Sequence, residues 1–302
     1  MRYYVLENPS AGRRGGRAFV EGVTRALLTG GHEVTAYVGA QPGDLARHVA
    51  TLGADEFDVL LVAGGDGTLR SILNASERLP PWPVGLIPVG TANLVARETR
   101  VLGVRSAEDL ARQIPEAETW QVDLIEVRRP GHVPERAISS VGVGLDGEMV
   151  HAVMAIRGSA ERSGGYAKWI RPFLDLLRSY AFSDLEIELD GKRGIEAPLA
   201  VVQNARHYGG LFMLSPEAKL DSGKLDLVTV RARTRRDLLR LALRASTGRM
   251  HKDRQVRIHA AQEVSIRAPD PVAVQADGDP AGHTDLHVRL RPGELRLLRV
   301  RG

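Results

Sequence analysis

Two rhythms of apolar and polar positions divide this chain. Up to about residue 115, short apolar runs alternate with stretches whose apolar residues return at helical spacing. Tyr3 to Leu6 predicts a strand, and Phe19, Val20, Val23, Ala26 and Leu27 then share one helix face. Val34, Ala36 and Val38 alternate as in a second strand, followed by a helix opening at Pro42 with Leu45, Val49 and Leu52 on one side. Val59 to Ala63 is an unbroken apolar run with the length and β-branched content of a buried strand, after which Leu69, Ile72 and Leu73 resume the helical period. Trp82 to Pro88 predicts one more strand. Alternating βα units build a parallel sheet with right-handed crossovers, and ligands collect outside the carboxyl ends of its strands.

Beyond about residue 120 the helical period fades. Gln121–Val127, Ala137–Val143, Leu185–Leu189, Glu196–Gln203, Lys224–Val230, Glu263–Arg267, Val272–Ala276, Leu286–Leu290 and Leu295–Val300 read as short strands. Asp190-Gly191 and Pro292-Gly293 read as turns between them. The pattern predicts an α/β domain over residues 1–120 and an antiparallel β-sandwich over 121–302, with the last strand free to pack back on the first domain. No internal repeat or low-complexity linker separates them, so the two are expected to pack closely around a cleft.

Composition narrows the classes. At 302 residues, with 43% hydrophobic and 26% charged residues, the chain has the make-up of a soluble two-domain protein. No apolar run approaches the ~20 residues that cross a bilayer. The opening MRYYVLENPS reads as a strand rather than a signal peptide, which makes a cytoplasmic location the default. Without cysteine, thiolate nucleophiles, disulfides and thiolate metal sites are excluded. Nine histidines lie scattered without zinc-ligand spacing. A net charge of +4 suits phosphate-bearing ligands or an anionic membrane face.

Candidate chemistry gathers in three turns at the ends of successive strands: Asn8-Pro9-Ser10-Ala11-Gly12, Gly64-Gly65-Asp66-Gly67-Thr68, and Val89-Gly90-Thr91-Ala92-Asn93. Glycines let backbone N–H groups approach an anion, and a helix N-terminus adds partial positive charge. The central turn matches neither the Walker pattern nor the dinucleotide fingerprint, and a tight turn without ligand explains it about as well. Asp66 tips the balance. A carboxylate facing a phosphate is repulsive unless a cation lies between them, which implies a metal-bound nucleotide.

These three turns, together with Asn204 to Gly210 and Asp277-Gly278-Asp279, resemble the diacylglycerol kinase catalytic-domain family, which includes bacterial soluble lipid kinases and the sphingosine and ceramide kinases. NAD kinases, more distant, share the central block alone. The resemblance implies an N-terminal domain similar to NAD kinase and phosphofructokinase, a C-terminal β-sandwich, and ATP with Mg²⁺ between them. Asn8, Pro9, Ser10, Ala11 and Gly12, then Gly64, Gly65, Asp66, Gly67, Thr68, Leu69 and Arg70, then Thr91 and Asn93, would line the nucleotide. The chain departs from the family at Gly39, where a threonine contact is usual, at Arg70-Ser71 in place of Asn-Glu, and at Leu94 in place of Asp.

The same resemblance makes Asp279 the candidate base that strips the proton from a lipid hydroxyl, with Asp66 and Asp277 holding or ordering the metal. The family's glutamate is one methylene longer than Asp279. On spacing alone Asp277-Gly278 is most simply a hairpin turn. A structural Mg²⁺ is implied at Lys219, Ser222 and Lys224. There a hydroxyl replaces the family's carboxylate, and Mg²⁺ without an anionic ligand is held weakly. Ser140 to Gly147 matches a stretch lining the acceptor side, where Asp146 is placed to position a hydroxyl; a strand followed by a helix N-cap reads equally well.

Between Arg231 and Arg257 stand ten Lys/Arg against two Asp around Leu238, Leu239, Leu241 and Leu243, the pattern of a basic amphipathic helix able to rest on anionic headgroups. A solvated helix face is the commoner explanation of such a charge run. No nucleic-acid recognition motif accompanies the charge. The expected function is an ATP- and Mg²⁺-dependent lipid kinase acting on a diacylglycerol-like or long-chain lipid alcohol, peripheral on the inner membrane face. The rivals are a nucleotide- or lipid-binding protein that has lost catalysis and an NAD kinase. The resemblance leaves room for a homodimer, and no stretch identifies an interface.

Overall fold

The α/β part is built as the apolar runs dictate. A computed structural model describes residues 1–11, 16–157, 170–210 and 212–301. The chain divides into two compact units, residues 1–122 with 293–302, and residues 123–292. In the first lie β1 (Arg2–Glu7), α1 (Gly16–Thr29), β2 (Glu33–Val38), α2 (Asp44–Val49), β3 (Val59–Gly64), α3 (Asp66–Leu73), β4 (Val84–Pro88), α4 (Leu94–Glu98) and α5 (Ala107–Gln113). The sheet order is β2-β1-β3-β4, all parallel. Every residue of β3 is buried, as its uninterrupted apolar run requires of a central parallel strand. The outer strand β2 keeps none of its residues fully buried.

In the second unit, β5 (Glu118–Arg128, entering from the first), β6 (Glu135–Ala137), β7 (Ser140–Val143), α6 (Leu145–Arg157), α7 (Ile170–Ser179), β8 (Leu185–Leu189), β9 (Lys192–Ala197) and β10 (Leu199–Gln203) come first. They are followed by β11 (His207–Tyr208), β12 (Phe212–Met213), β13 (Leu225–Val230), α8 (Arg235–Ser246), β14 (Val256–Ala261), β15 (Glu263–Arg267), β16 (Ala273–Ala276), β17 (Asp279–His283) and β18 (Leu286–Arg299). Strands β14-β13-β10-β7-β16-β17 form one antiparallel sheet. Val141, Val143, Ala200, Val202, Leu225, Leu227, Val274 and Ala276 on one of its faces share a core with Leu185, Ile187, Val264, Ile266, Leu286 and Val288, which makes the unit a sandwich. Its other face, with Val201, Val228 and Val230, is covered by Leu145, Leu177, Leu238 and Leu241 of α6, α7 and α8.

Two details differ from the sequence expectation. Pro292-Gly293 is no turn: β18 runs unbroken from Leu286 to Arg299, with Gly293 absorbing an irregularity at φ +63°. The part of β18 up to Pro292 belongs to the second unit and pairs β15, and from Gly293 onward it belongs to the first, where Leu297 lies parallel to Val84. Strand β14 escaped the apolar pattern because it is an edge strand with only Val256 and Ala261 buried. Asp190-Gly191 is the expected tight hairpin, both residues at positive φ. Among the described residues no helix is long and apolar enough to cross a membrane.

Candidate active site

The carboxyl ends of β1, β3 and β4 carry the three turns, and the structure binds them into one body. Asn8 donates from Nδ2 to the Thr68 hydroxyl at 2.8 Å and from its backbone N to the Ala63 carbonyl at 3.0 Å. Its Oδ1 in turn accepts from the Ser10 N–H and hydroxyl, folding the first loop back on itself. Gly64 is required because a Cβ there would lie 2.6 Å from the Thr68 side chain. Gly65 and Gly90 meet backbone to backbone, a Cβ on Gly90 standing 2.4 Å from the Gly65 Cα. Val89 and Gly90 N–H groups both bond the Gly64 carbonyl at 3.2 Å. Pro9, Ser10, Gly67 and Thr91 are exposed on this body, while Asn8, Ala11, Gly65 and Arg70 are half-buried and Thr68, Leu69 and Asn93 buried. Gly12 lies outside the described residues.

The surroundings of Asp66 give it a structural task. Both carboxylate oxygens accept backbone N–H groups, Oδ2 from Leu94 at 2.9 Å and Oδ1 from Val95 at 3.0 Å. The side chain thus caps α4 from across the crevice floor, a task usually done by the N-cap residue. Here the N-cap is Asn93, in the left-handed region at φ 49°, whose amide instead donates to the Gly90 carbonyl at 2.9 Å. Burial pushes the Asp66 pKa above the usual carboxylate value, with the two N–H bonds pulling the other way. Each oxygen keeps acceptor capacity beyond its one N–H bond, so the cap stands beside the expected metal-ordering role of Asp66.

Asp277 is likewise bonded to backbone. It sits at φ 51°, its oxygens accept from Ile138 at 2.7 Å, Ser139 at 2.7 Å and Ser140 at 3.0 Å, and its own N–H bonds the Ser140 carbonyl at 2.9 Å. Three successive N–H groups make a nest that holds this carboxylate in place. Asp279, half-buried, is the first residue of β17 and pairs with Ala276 across the Asp277-Gly278 turn. Asn204, buried completely, ties the same region down by donating to the Asp123 and Ile138 carbonyls at 2.9 and 2.8 Å.

The 219–224 loop does not fit a magnesium ion. The Lys219 carbonyl accepts the Ser222 N–H at 3.2 Å, and the Lys224 carbonyl accepts the Ser222 hydroxyl at 3.0 Å. Ser222 thus occupies both carbonyls expected as ligands, and the nearby Asp123 carboxylate accepts the Gly223 N–H at 2.8 Å. Among the described residues no group of three or more His, Asp or Glu side chains is arranged to hold a metal.

Sequence reasoning also missed what surrounds Asp146. Its carboxylate lies flat on β7, where a Cβ on Gly142 would stand 1.5 Å from Oδ2. There it accepts the Tyr208 hydroxyl and, at 2.8 Å, the Gln275 amide. The glycine spacing in Ser140 to Gly147 carried the signal: Gly147 similarly admits the Ala273 carbonyl, which a Cβ would approach to 2.1 Å.

A parallel α/β unit with small polar loops fused at its strand ends, in a chain with an antiparallel sandwich, is the architecture of the NAD kinase and diacylglycerol kinase folds. The comparisons agree. The model of the diacylglycerol kinase catalytic domain matches residues 2–127, and that of the YegS C-terminal NAD kinase beta sandwich-like domain matches residues 139–299. The chain belongs to the diacylglycerol kinase catalytic-domain family. It is 25% identical to a diacylglycerol kinase of Bacillus subtilis, covering 97% of this chain and 92% of that one. It is 27% identical to that of Staphylococcus saprophyticus over 93% and 90% of the two chains. A diacylglycerol kinase structure from Bacillus anthracis superposes with a TM-score of 0.72 at 20% identity, covering 99% and 97% of the chains. An NAD kinase from Archaeoglobus fulgidus, solved in complex with ATP, superposes at 0.53 with 15% identity over 100% and 94%.

Proposed function

We propose that this protein is an ATP-dependent lipid kinase, transferring the γ-phosphoryl group of ATP to the hydroxyl of a diacylglycerol-like or long-chain lipid alcohol. The observation that carries the reading is the three-loop body joined through Asn8–Thr68, Gly65–Gly90 and Asp66–Leu94. Kinship with proteins named diacylglycerol kinase over nearly the whole chain supports it. In this reading the exposed backbone of Gly67 and Thr91, with the Thr91 hydroxyl, meets the phosphates, and Arg70 adds charge beside them. Asp279 accepts the proton of the lipid hydroxyl while its oxygen attacks the γ-phosphorus; the bond to the β-phosphate oxygen breaks, and ADP leaves. Magnesium carried in with the nucleotide would neutralise phosphate charge.

A lipid acceptor also implies contact with a membrane surface, which we assign to α8. Leu239 and Leu243, one turn apart, are 50% and 67% exposed beside the exposed Arg235 and Arg236. Co-sedimentation with vesicles containing phosphatidylglycerol is expected for the wild type and lost in Leu239→Ser/Leu243→Ser.

The function is tested by incubating the protein with γ-labelled ATP and Mg²⁺ against diacylglycerol, sphingosine and monoacylglycerol in mixed micelles, and against NAD⁺. Label in a lipid product supports the reading. Label in NADP⁺ moves the protein to the NAD kinases, and nucleotide binding without transfer to any acceptor marks a protein that has lost catalysis.

A further inference from the structure

The turn that carries Asp279 is held far more firmly than a two-residue hairpin needs. A pair such as Asp277-Gly278, at φ 51° and 84°, closes a hairpin by itself. Here one side of the turn is nailed to the first residue of β7 and the two residues before it by the three N–H bonds to the Asp277 carboxylate. The other side is held through side chains. The Gly278 N–H bonds Oε1 of Gln275 at 2.8 Å, Nε2 of the same amide bonds Asp146 at 2.8 Å, and the Tyr208 hydroxyl donates to the second oxygen of Asp146. Gln275 is 1% exposed, so its amide has no access to water and depends on these two partners. Its orientation is fixed by donor and acceptor: only the amide nitrogen can serve the carboxylate, and only the amide oxygen can serve Gly278. A glycine at 142 is the condition for placing the carboxylate there.

We infer that Tyr208, Asp146 and Gln275 form a positioning relay that sets the orientation of the Asp277–Asp279 turn for phosphoryl transfer. The inference rests on the lipid-kinase reading for its consequence, while the relay itself is a statement about the turn. The three are positioning residues: they act through Gly278 on the direction of Asp279. A base displaced by about 1 Å loses on the order of 100-fold in rate while leaving nucleotide binding intact, so the relay's mark is on kcat and not on the KM for ATP.

The test uses the full chain and two variants, Gln275→Leu and the milder Tyr208→Phe, with two readouts. Hydrogen exchange of the peptide containing Gly278 is expected to quicken about tenfold in Gln275→Leu and less in Tyr208→Phe, with β1 and β3 unchanged. In the kinase assay kcat is expected to fall about 100-fold in Gln275→Leu and several-fold in Tyr208→Phe, at unchanged KM for ATP. Wild-type exchange at Gly278 in both variants overturns the relay whatever the activity. Faster exchange with unaltered kcat overturns its positioning role. A wild-type protein that phosphorylates no lipid removes the kinase reading instead, and the exchange data still decide whether the relay exists.

Discussion

Asn8 and Thr68, sixty positions apart in sequence, are joined by one hydrogen bond of 2.8 Å between side chains, and through it the loop after β1 is fixed to the first turn of α3. Thr68 is 8% exposed, so the bond is sheltered from water. Thr68→Val keeps the shape and removes the acceptor, leaving the Asn8 amide without this partner. The expected cost is about 1 kcal/mol of stability by chemical denaturation. A rise in the KM for ATP should accompany it.

Gly90 carries the closest backbone approach among the three loops. An added Cβ would stand 2.4 Å from the Gly65 Cα and 3.0 Å from its nitrogen, atoms that cannot turn aside. Gly90→Ala is expected to cost about 1–3 kcal/mol and to weaken nucleotide binding. Gly103→Ala, where the Cβ meets nothing within 4 Å, should stay within about 0.5 kcal/mol of wild type. Equal effects in thermal melts would show that the contact between the two loops is not what the glycine protects.

Asp66 allows a cap alone to be told from a cap that also orders a metal. As a cap for Leu94 and Val95, its replacement by Asn loses one good acceptor and should destabilise the protein by about 1–2 kcal/mol. With capping alone, the Mg²⁺ concentration giving half-maximal rate does not move. A tenfold shift in that concentration adds the metal-ordering role read from the sequence.

Ser222 supplies the converse test. Its N–H and hydroxyl satisfy the Lys219 and Lys224 carbonyls, so wild-type melting should be indifferent to Mg²⁺ or chelator. Ser222→Asp puts a carboxylate among the same carbonyls and should make melting rise with millimolar Mg²⁺. A wild-type melting point that falls on chelation contradicts the self-closed loop.

Asp146 links the relay to pH. Burial pushes its pKa up to about 6, the Gln275 amide opposing. An acid raised in the folded state favours folding while protonated: its contribution is complete below the unfolded value near ~3.9 and is lost as pH climbs through about 6. The shift corresponds to about 3 kcal/mol. The stability of wild type relative to Asp146→Asn should therefore decline by about that amount between pH 4 and 7, measured by urea unfolding. A flat difference would mean that the carboxylate is not buried as described.

The sequence made the strands that share one uniform environment legible. Val59 to Ala63 is apolar throughout because β3 is buried on both faces, and no other element so plainly announces its place. The glycines at 64, 65 and 90 were read as room for an anion, whereas Gly64 makes room for the Thr68 side chain and Gly65 and Gly90 for each other's backbone. What stayed hidden was direction. Asp66 reads as a phosphate-facing carboxylate, and nothing near it in sequence shows that α4, twenty-eight positions on, presents its N–H groups to it. Gln275 is the one polar residue of the fully buried strand β16, and nothing local marks it as the link between Asp146 and Gly278. Pro292-Gly293 misled for a different reason: a glycine at positive φ serves a strand irregularity as well as a turn.

The measurement that bears most directly on the proposed function is the initial rate of label transfer from γ-labelled ATP to diacylglycerol by wild type and Asp279→Asn, with ATP affinity measured alongside. Wild type should produce labelled phosphatidate, and the variant should bind ATP equally well while transferring about 100-fold more slowly or less. Wild-type binding of ATP with no transfer, or an Asp279→Asn rate equal to wild type, would contradict it.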